Sequence, residues 1–319
     1  MGTTFRIVLY DTDRAAAEAA ARAAFEEISD IEAALTDWDP GSELSLLSRI
    51  SDDSAPTPWV PVSPLLGQVL AEARAIAERT DGAFDPTMGP AIRLWRRSRR
   101  QGELPSHERI AEAKAASGWQ QLEVGEGSRH VRLHSAHMRL DLGGIAKGTA
   151  LDRALFVLTA RGIESALVDG GGDIAVSGPP PDRRGWRVIV RPFEAEDAPV
   201  ELTLANAAVA TSGDRYRFVE IEGVRYSHLI DPSTGLGLRQ RRAATVIGRS
   251  GARADAFATA LCIAGPAGLG FIEAESDLEA RLWVFENDER RTCDSSGVSR
   301  FIEAEPEPDP PAPADESSG

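Results

Sequence analysis

The chain has 319 residues and a formal charge of −15, from 35 basic and 50 acidic side chains. This length allows one large or two small domains with a substantial core. The acidic balance argues against a nucleic-acid surface, because binding to phosphate backbones requires a basic face. Two cysteines, Cys262 and Cys293, allow one disulfide but indicate neither a disulfide framework nor a metal cluster.

The first third of the chain is predicted to be mostly helical. A strand over residues 5–10 is followed by helices over 13–35, 42–47, 63–79 and 106–116, where apolar residues recur at helical spacing. Residues 83–90 are predicted to form a proline-punctuated loop, and 93–100 a basic segment.

From Trp119 onward, short segments with strand character predominate. Strands are predicted over 122–124, 131–133, 138–140, 166–168, 174–176, 186–191, 200–204, 207–210, 217–221, 225–230, 243–247 and 280–285. Further helices are predicted over 145–161, 252–263 and 267–275. Because helices and strands do not alternate strictly, we predict an α+β fold with mixed, mostly antiparallel sheets and packed helices, not a doubly wound parallel sheet.

The domain prediction is one domain over 1–300, with a helix-rich part (1–118) and a strand-rich part (119–300). Residues 301–319 are acidic and proline-rich, and we predict disorder there. We predict no transmembrane segment, and no signal peptide precedes Gly2. The location remains open between the cytoplasm and export after removal of a leader.

The segment ADAFATA at 254–260 is predicted to form a helix. This helix would carry Asp255 and Thr259 one turn apart on one face. Two hard oxygen ligands suit Mg²⁺, which takes few protein ligands. The alternative is a solvated carboxylate beside a threonine that bonds back to its own helix. The apolar surroundings favour the functional reading, since a buried carboxylate needs a partner or a metal.

The segment DLGGIAKG at 141–148 is predicted to contain the end of a strand, a glycine turn and the start of a helix. Free backbone amides and the helix dipole there would favour an anion. Lys147 in this turn is one of only two lysines in the chain. The residues alone leave a simple turn and a ligand site equally open.

Three further segments have a functional and a structural interpretation. Gly170–Gly172 favours a tight hairpin, or close backbone packing against a ligand, over a dinucleotide-binding turn, because a strand and not a helix follows. His228 is predicted to lie within a strand and Asp231 at its end, as a general base with its support or as structural residues. Thr211 lies in ATSGD, which suits a phosphate-holding turn or an ordinary one.

Taken together, these segments resemble the ApbE family, the FAD:protein FMN transferases, from residue 1 to about residue 285. The motifs occur in family order: MGT at 1–3, Trp38 with SELS at 42–45, AFDPTMGP at 83–90, DLGGIAKG, GGDI at 171–174, ATSGD at 210–214, SHLIDPSTG at 227–235 and ADAFATA. Each motif is weak alone, but the ordered set is very specific. It implies the ApbE-like, T-fold-related architecture.

The resemblance implies Mg²⁺-dependent transfer of FMN from FAD to a threonine hydroxyl of a target protein, with release of AMP. By similarity, Mg²⁺ is held by Asp255, Thr259 and the carbonyl of Gly144, and His228 is the catalytic base, supported by Asp231. The implied FAD contacts are Met1 and Trp38 at the flavin, Ala83, Phe84 and Asp85 at the nucleotide pocket, and Asp141, Lys147 and Thr211 near the metal.

Two alternative functions use the same residues. An FAD pyrophosphatase would use water as the nucleophile and release AMP and FMN, and a flavin-binding protein would bind FAD without turnover. One departure bears on the pocket: Asp169 stands where the family often has Asn. A negative charge there is unfavourable near a pyrophosphate unless the side chain points away.

Overall fold

The structure, a computed structural model, describes residues 2–191, 193, 199–214, 218–286 and 289–302. Its helices are α1 Arg14–Leu35, α2 Glu43–Asp53, α3 Pro64–Arg79, α4 Gly89–Gln101, α5 His107–Ala115, α6 Ala146–Ala160, α7 Gly251–Ala264 and α8 Leu269–Glu273. Capping side chains mark where several begin: Ser42, Ser63, Ser106 and Ser250 each accept an amide proton from the first turn of the following helix.

The strands are β1 Phe5–Tyr10, β2 Val60–Pro61, β3 Leu122–Val124, β4 His130–Leu133, β5 Ser165–Gly170, β6 Asp173–Val176, β7 Trp186–Val190, β8 Val200–Leu204, β9 Ala207–Gly213, β10 Phe218–Ile221, β11 Val224–Ser227, β12 Ile230–Asp231, β13 Leu236–Gly237, β14 Arg242–Gly248, β15 Glu279–Glu286 and β16 Glu289–Asp294. The main sheet has seven strands in the order β1-β5-β6-β9-β14-β15-β16, and every neighbouring pair is antiparallel. The prediction of mostly antiparallel sheets is therefore confirmed.

Helices α1, α6 and α7 cover one face of this sheet and enclose the largest apolar core. The opposite face is covered by the β7–β8 hairpin, which buries Trp186 and Leu202 against Trp283. A smaller core lies between α4 and the short strands β10 to β13, around Trp95 and Tyr226. The main sheet therefore lies between the helical layer and the β7–β8 hairpin. Helix α4 and strands β10 to β13 pack around a separate, smaller core.

Glycine sets the approach of α6 to α7. A Cβ added at Gly148 would lie 2.0 Å from the carbonyl oxygen of Gly251 and 2.5 Å from the nitrogen of Ala252. No side chain fits in that space, so only glycine allows the two helix N-termini to touch. This contact brings Lys147, at the start of α6, beside Asp255 on α7.

Several predicted elements differ from the structure. Residues 89–101 form α4, although a loop and a basic segment were predicted: Pro90 suits a first helical turn, and the buried Trp95 and Ser98 give the helix an inner face. Residues 138–140 form no strand and contribute only a single bridge, from Arg139 to Met88. The polar edge strand β16 was not predicted, because it lacks the alternation that marks half-buried strands.

The helical run Gly251–Glu273 has the length and mean hydropathy of a membrane span, although no transmembrane segment was predicted. More than half of its most apolar window is buried within the protein, as expected of a core helix. Met1 and the predicted disordered tail, apart from residues 301–302, lie outside the described residues. The single-domain assignment remains a prediction.

Candidate functional site

A cavity of about 1080 Å³ opens between α4, the glycine turn before α6, and the ends of β6 and β9. This volume lies just above the usual range for small-molecule sites, about 300–1,000 Å³. Eleven of the thirteen predicted site residues line it: Trp38, Ala83, Phe84, Asp85, Asp141, Gly144, Lys147, Thr211, His228, Asp255 and Thr259. Met1 lies outside the described residues, and Asp231 is flanked by the lining residues Ile230 and Pro232.

Three ionisable side chains, Lys147, Asp173 and Asp255, form a charged cluster in the cavity wall. The Lys147 ammonium lies 2.8 Å from a carboxylate oxygen of Asp173 and 2.8 Å from one of Asp255. The Gly148 amide donates to the other oxygen of Asp255 at 3.2 Å. Both carboxylates are almost fully buried. Two carboxylates and one ammonium give the cluster a net charge of one negative unit, largely shielded from water.

The surroundings shift the pKa values of this cluster. Burial, together with the neighbouring Asp173 carboxylate, raises the pKa of Asp255 to about 6 against the opposing effect of Lys147. The two carboxylates raise the pKa of Lys147 above its usual range, although burial alone would lower it. At neutral pH the lysine is charged and Asp255 is an ionised oxygen donor.

Thr259 lies one turn after Asp255 on α7 and also faces the cavity. Helical threonines elsewhere bond back to their own helix, as Thr149 does to Ile145 at 2.9 Å and Thr159 to Leu155 at 3.0 Å. Within the described parts of the chain, the Thr259 hydroxyl has no hydrogen-bond partner. The back-bonded alternative is therefore excluded, and this oxygen faces the cavity uncommitted.

Gly144 approaches the same point from the glycine turn. A Cβ added to Gly144 would lie 3.2 Å from the hydroxyl oxygen of Thr259 and 3.3 Å from the Phe84 ring. The predicted metal-binding residues Gly144, Asp255 and Thr259 therefore surround one corner of the cavity. All three can offer oxygen: a backbone carbonyl, a carboxylate and a hydroxyl.

The amides of the glycine turn are less available to an anion than the sequence indicated. The Gly143 amide donates to the Asp141 carboxylate at 2.8 Å, and those of Ile145 and Ala146 donate to the Leu142 carbonyl. The Gly148 amide is taken by Asp255. Most of these amides therefore already have an acceptor, either the Leu142 carbonyl or the carboxylates of Asp141 and Asp255.

Asp141 is buried and links the glycine turn to α4. Its second oxygen accepts a hydrogen bond from Arg96 at 3.1 Å, and Arg96 also pairs with Asp37. Burial and the Asp37 carboxylate raise the pKa of Asp141. Asp37 directly precedes Trp38, a residue that is 67% exposed and lines the cavity, so this ion-pair chain fixes the loop that presents the tryptophan.

Asp85 and Thr211 have structural hydrogen bonds besides their place in the cavity wall. One Asp85 oxygen accepts from the amide and hydroxyl of Thr87, at 2.8 and 2.6 Å, and the other from the Trp119 amide at 3.1 Å. The Thr211 amide donates to Asp173 at 3.0 Å, and its hydroxyl pairs with that of Thr245 at 2.8 Å. These hydrogen bonds hold both residues in place, so each helps to fix the shape of the cavity wall.

His228 lies in a bend between β11 and β12, and the prediction that it lies within a strand is wrong. Strand pairing ends at Ser227, whose carbonyl accepts a hydrogen bond from the Trp95 indole of α4 at 3.1 Å. The bend turns the imidazole towards the cavity, which it lines. Asp231 accepts from the amide and hydroxyl of Ser233 at 2.8 and 2.6 Å, which supports the turn after the bend.

Comparisons with known proteins identify the family of this chain. Residues 1–282 match the family model described as the ApbE family. The chain belongs to the ApbE family. The family and the fold class predicted from the ordered motifs are therefore confirmed.

The ApbE relatives include an FAD:protein FMN transferase from Chlamydia muridarum, 32% identical over 266 residues, covering 82% of this chain and 81% of that protein. The FAD:protein FMN transferase of Escherichia coli K12 is 31% identical over 268 residues, covering 82% and 76%. Among solved structures, the apo form of the Pseudomonas stutzeri flavinyl transferase ApbE has a TM-score of 0.83 at 28% identity, covering 96% and 95%. An ApbE protein from Thermotoga maritima has a TM-score of 0.81 at 32% identity, covering 95% and 97%.

Six acidic or basic residues that line the cavity were not among the predicted site residues: Glu32, Asp37, Arg96, Arg99, Asp173 and Arg191. Asp173 could have been inferred from GGDI, since a polar residue directly after a glycine hairpin faces whatever the hairpin approaches. Asp37 and Arg96 carry no such signal, because their pairing depends on how α4 packs. Asp169 pairs with Arg6 and caps the Gly172 amide, and it does not line the cavity, so its charge is directed away from the site.

Proposed function

We propose that this ApbE family member transfers FMN from FAD to a threonine hydroxyl of an acceptor protein, in a Mg²⁺-dependent reaction that releases AMP. One observation carries the proposal: a cavity large enough for a dinucleotide has an acidic corner where an uncommitted hydroxyl, a buried carboxylate and a glycine backbone meet. The FAD and FMN specificity comes from the names of the relatives.

The donor set fits Mg²⁺. Gly144, Asp255 and Thr259 would supply a few hard oxygen ligands and leave positions for phosphate oxygens and water. No group of three or more His, Cys, Asp or Glu side chains suited to a metal occurs in the described ranges, which disfavours a zinc-type site there. When bound, the cation neutralises charge on the pyrophosphate and polarises it towards attack.

The chemistry asked of the protein is positioning and charge stabilisation. The acceptor oxygen forms a bond to the FMN phosphorus as the bond from that phosphorus to the bridging oxygen breaks, and AMP leaves. His228 would take the acceptor's proton, and Lys147 would stabilise negative charge beside the metal corner. Trp38 offers an exposed ring on which a flavin can stack.

Thr259→Val should test the metal corner separately from the overall fold. The substitution keeps the branched shape and removes only the hydroxyl, so we expect the Mg²⁺ concentration for half-maximal AMP release to rise about tenfold, the effect of losing one weak ligand. The matched control is Thr159→Val on α6, which removes a hydroxyl that serves only its own helix. Equal Mg²⁺ dependence of both variants would contradict the assignment of Thr259.

The reaction itself is tested with purified protein, FAD and Mg²⁺, with and without a threonine-bearing acceptor domain. We expect AMP release and covalent flavin fluorescence on the acceptor in a denaturing gel, both abolished by EDTA. AMP with free FMN and an unlabelled acceptor would instead identify an FAD pyrophosphatase. Bound FAD without any AMP would identify a flavin-binding protein.

A further inference from the structure

Asp173 is a buried carboxylate to which the proposed reaction assigns no role. It begins β6, directly after the glycine hairpin, and is 3% exposed. One oxygen accepts the Thr211 amide of β9 at 3.0 Å, and the other lies 2.8 Å from the Lys147 ammonium of α6. Asp173 therefore joins three elements at the wall of the cavity.

The ammonium of Lys147 has two counter-ions at equal distance, Asp173 and Asp255. A divalent cation held by Asp255 would lie beside this ammonium, and like charges so close repel strongly in a partly buried site. The lysine also occupies an oxygen of Asp255 that a cation would use. Lys147 and a metal therefore compete for one carboxylate unless the lysine has another anchor.

We propose that Asp173 is a positioning residue, which retains Lys147 when a divalent cation binds Asp255 and so frees that carboxylate for the metal. This inference rests on the metal corner of the proposed function. With Asp173 present, the charged cluster has one excess negative charge that attracts a cation. Without that charge, Lys147 pairs with Asp255 only, and the metal binds this carboxylate more weakly.

A purely structural role for Asp173 makes a different prediction. In that case its task is to accept the Thr211 amide, and an uncharged side chain of the same shape would perform it equally well. Asp173→Asn keeps an acceptor oxygen for that amide, removes the charge, and places an uncharged NH2 group where the second oxygen faced Lys147. The positioning role predicts a lower metal affinity for Asp173→Asn, whereas the structural role predicts an unchanged one; both predict a folded variant.

The experiment measures Mn²⁺ binding to the full chain at pH 7.5, from the electron paramagnetic resonance signal of free Mn²⁺, without FAD or acceptor. We expect Asp173→Asn to bind Mn²⁺ at least about tenfold more weakly than the wild type, because one full charge is lost a few ångströms from the site. Lys147→Met should bind more tightly than the wild type. The double variant should return to within about threefold of the wild type, since the cluster again carries one negative charge.

The matched control is Asp169→Asn, the same change in the same hairpin, at a carboxylate that pairs with the exposed Arg6. Its Mn²⁺ affinity should be unchanged, and thermal unfolding without metal verifies that each variant is folded. Wild-type affinity in folded Asp173→Asn would overturn the proposal. So would a double variant as weak as Asp173→Asn, because the carboxylate would then act without Lys147.

Lys147→Met keeps the proposal falsifiable if Asp173→Asn does not fold, because unchanged or weaker Mn²⁺ binding by this variant contradicts competition by the lysine. A wild type that binds no Mn²⁺ would overturn the metal assignment in the proposed function, and this inference with it. A wild type that binds Mn²⁺ together with an unaffected Asp173→Asn would overturn this inference alone.

Discussion

Asp255→Asn should reduce Mg²⁺-dependent AMP release by about a thousandfold or more. The expected size follows from the several kcal/mol that a metal ion contributes at a transferring phosphoryl group. Asn is isosteric, but it lacks the charge that both a cation and Lys147 require. Steady-state AMP release at saturating FAD, across a Mg²⁺ titration, measures the effect.

A suitable control for Asp255→Asn is Asp277→Asn. Asp277 pairs with Arg253 of the same helix, α7, but does not line the cavity. This control should retain wild-type AMP release. Substantial AMP release by Asp255→Asn at wild-type Mg²⁺ concentrations would mean that the metal is held elsewhere.

His228→Ala should slow flavin transfer to the acceptor by about a hundredfold to ten thousandfold, the usual contribution of a general base. FAD affinity should change little, because this side chain lies in the bend after β11 and only borders the cavity. Single-turnover labelling of the acceptor, with FAD affinity from flavin fluorescence quenching, separates the two quantities.

The control for His228→Ala is His134→Ala, which removes an imidazole that pairs with Glu123 outside the cavity. Its labelling rate should equal that of the wild type. If His228→Ala also labels the acceptor at the wild-type rate, another group must accept the proton. If FAD affinity falls in proportion to the rate, the histidine contributes to binding and not to proton transfer.

The ordered motifs were sufficient to predict which residues would meet in one cavity. Trp38, Lys147, His228 and Asp255 lie far apart in sequence, yet all four line it. No local pattern connects them, so their grouping was predicted from the family resemblance alone. The helix that carries Asp255 and Thr259 was, in contrast, readable from the residues themselves.

What the sequence could not supply depends on tertiary pairing. The contact between Asp173 and Lys147 requires the antiparallel register of β6 with β9, which pairs Ile174 with Val209, and register over short strands is set by the whole sheet. The glycine-turn amides were predicted to be free because their acceptors include side chains such as that of Asp255, about a hundred residues away. The prediction also missed α4, although arginine is a good helix former, because few apolar residues mark the inner face that Trp95 and Ser98 bury.

The contact between Gly148 and Gly251 has a consequence for how this site can vary. Because backbone meets backbone there, the spacing between Lys147 and Asp255 cannot be adjusted by exchanging side chains. We therefore expect the metal corner to be preorganised, with its geometry set by folding before any substrate binds. Adaptation to different acceptor proteins would then come from the exposed rim of the cavity, where Trp38 can change without moving the helices.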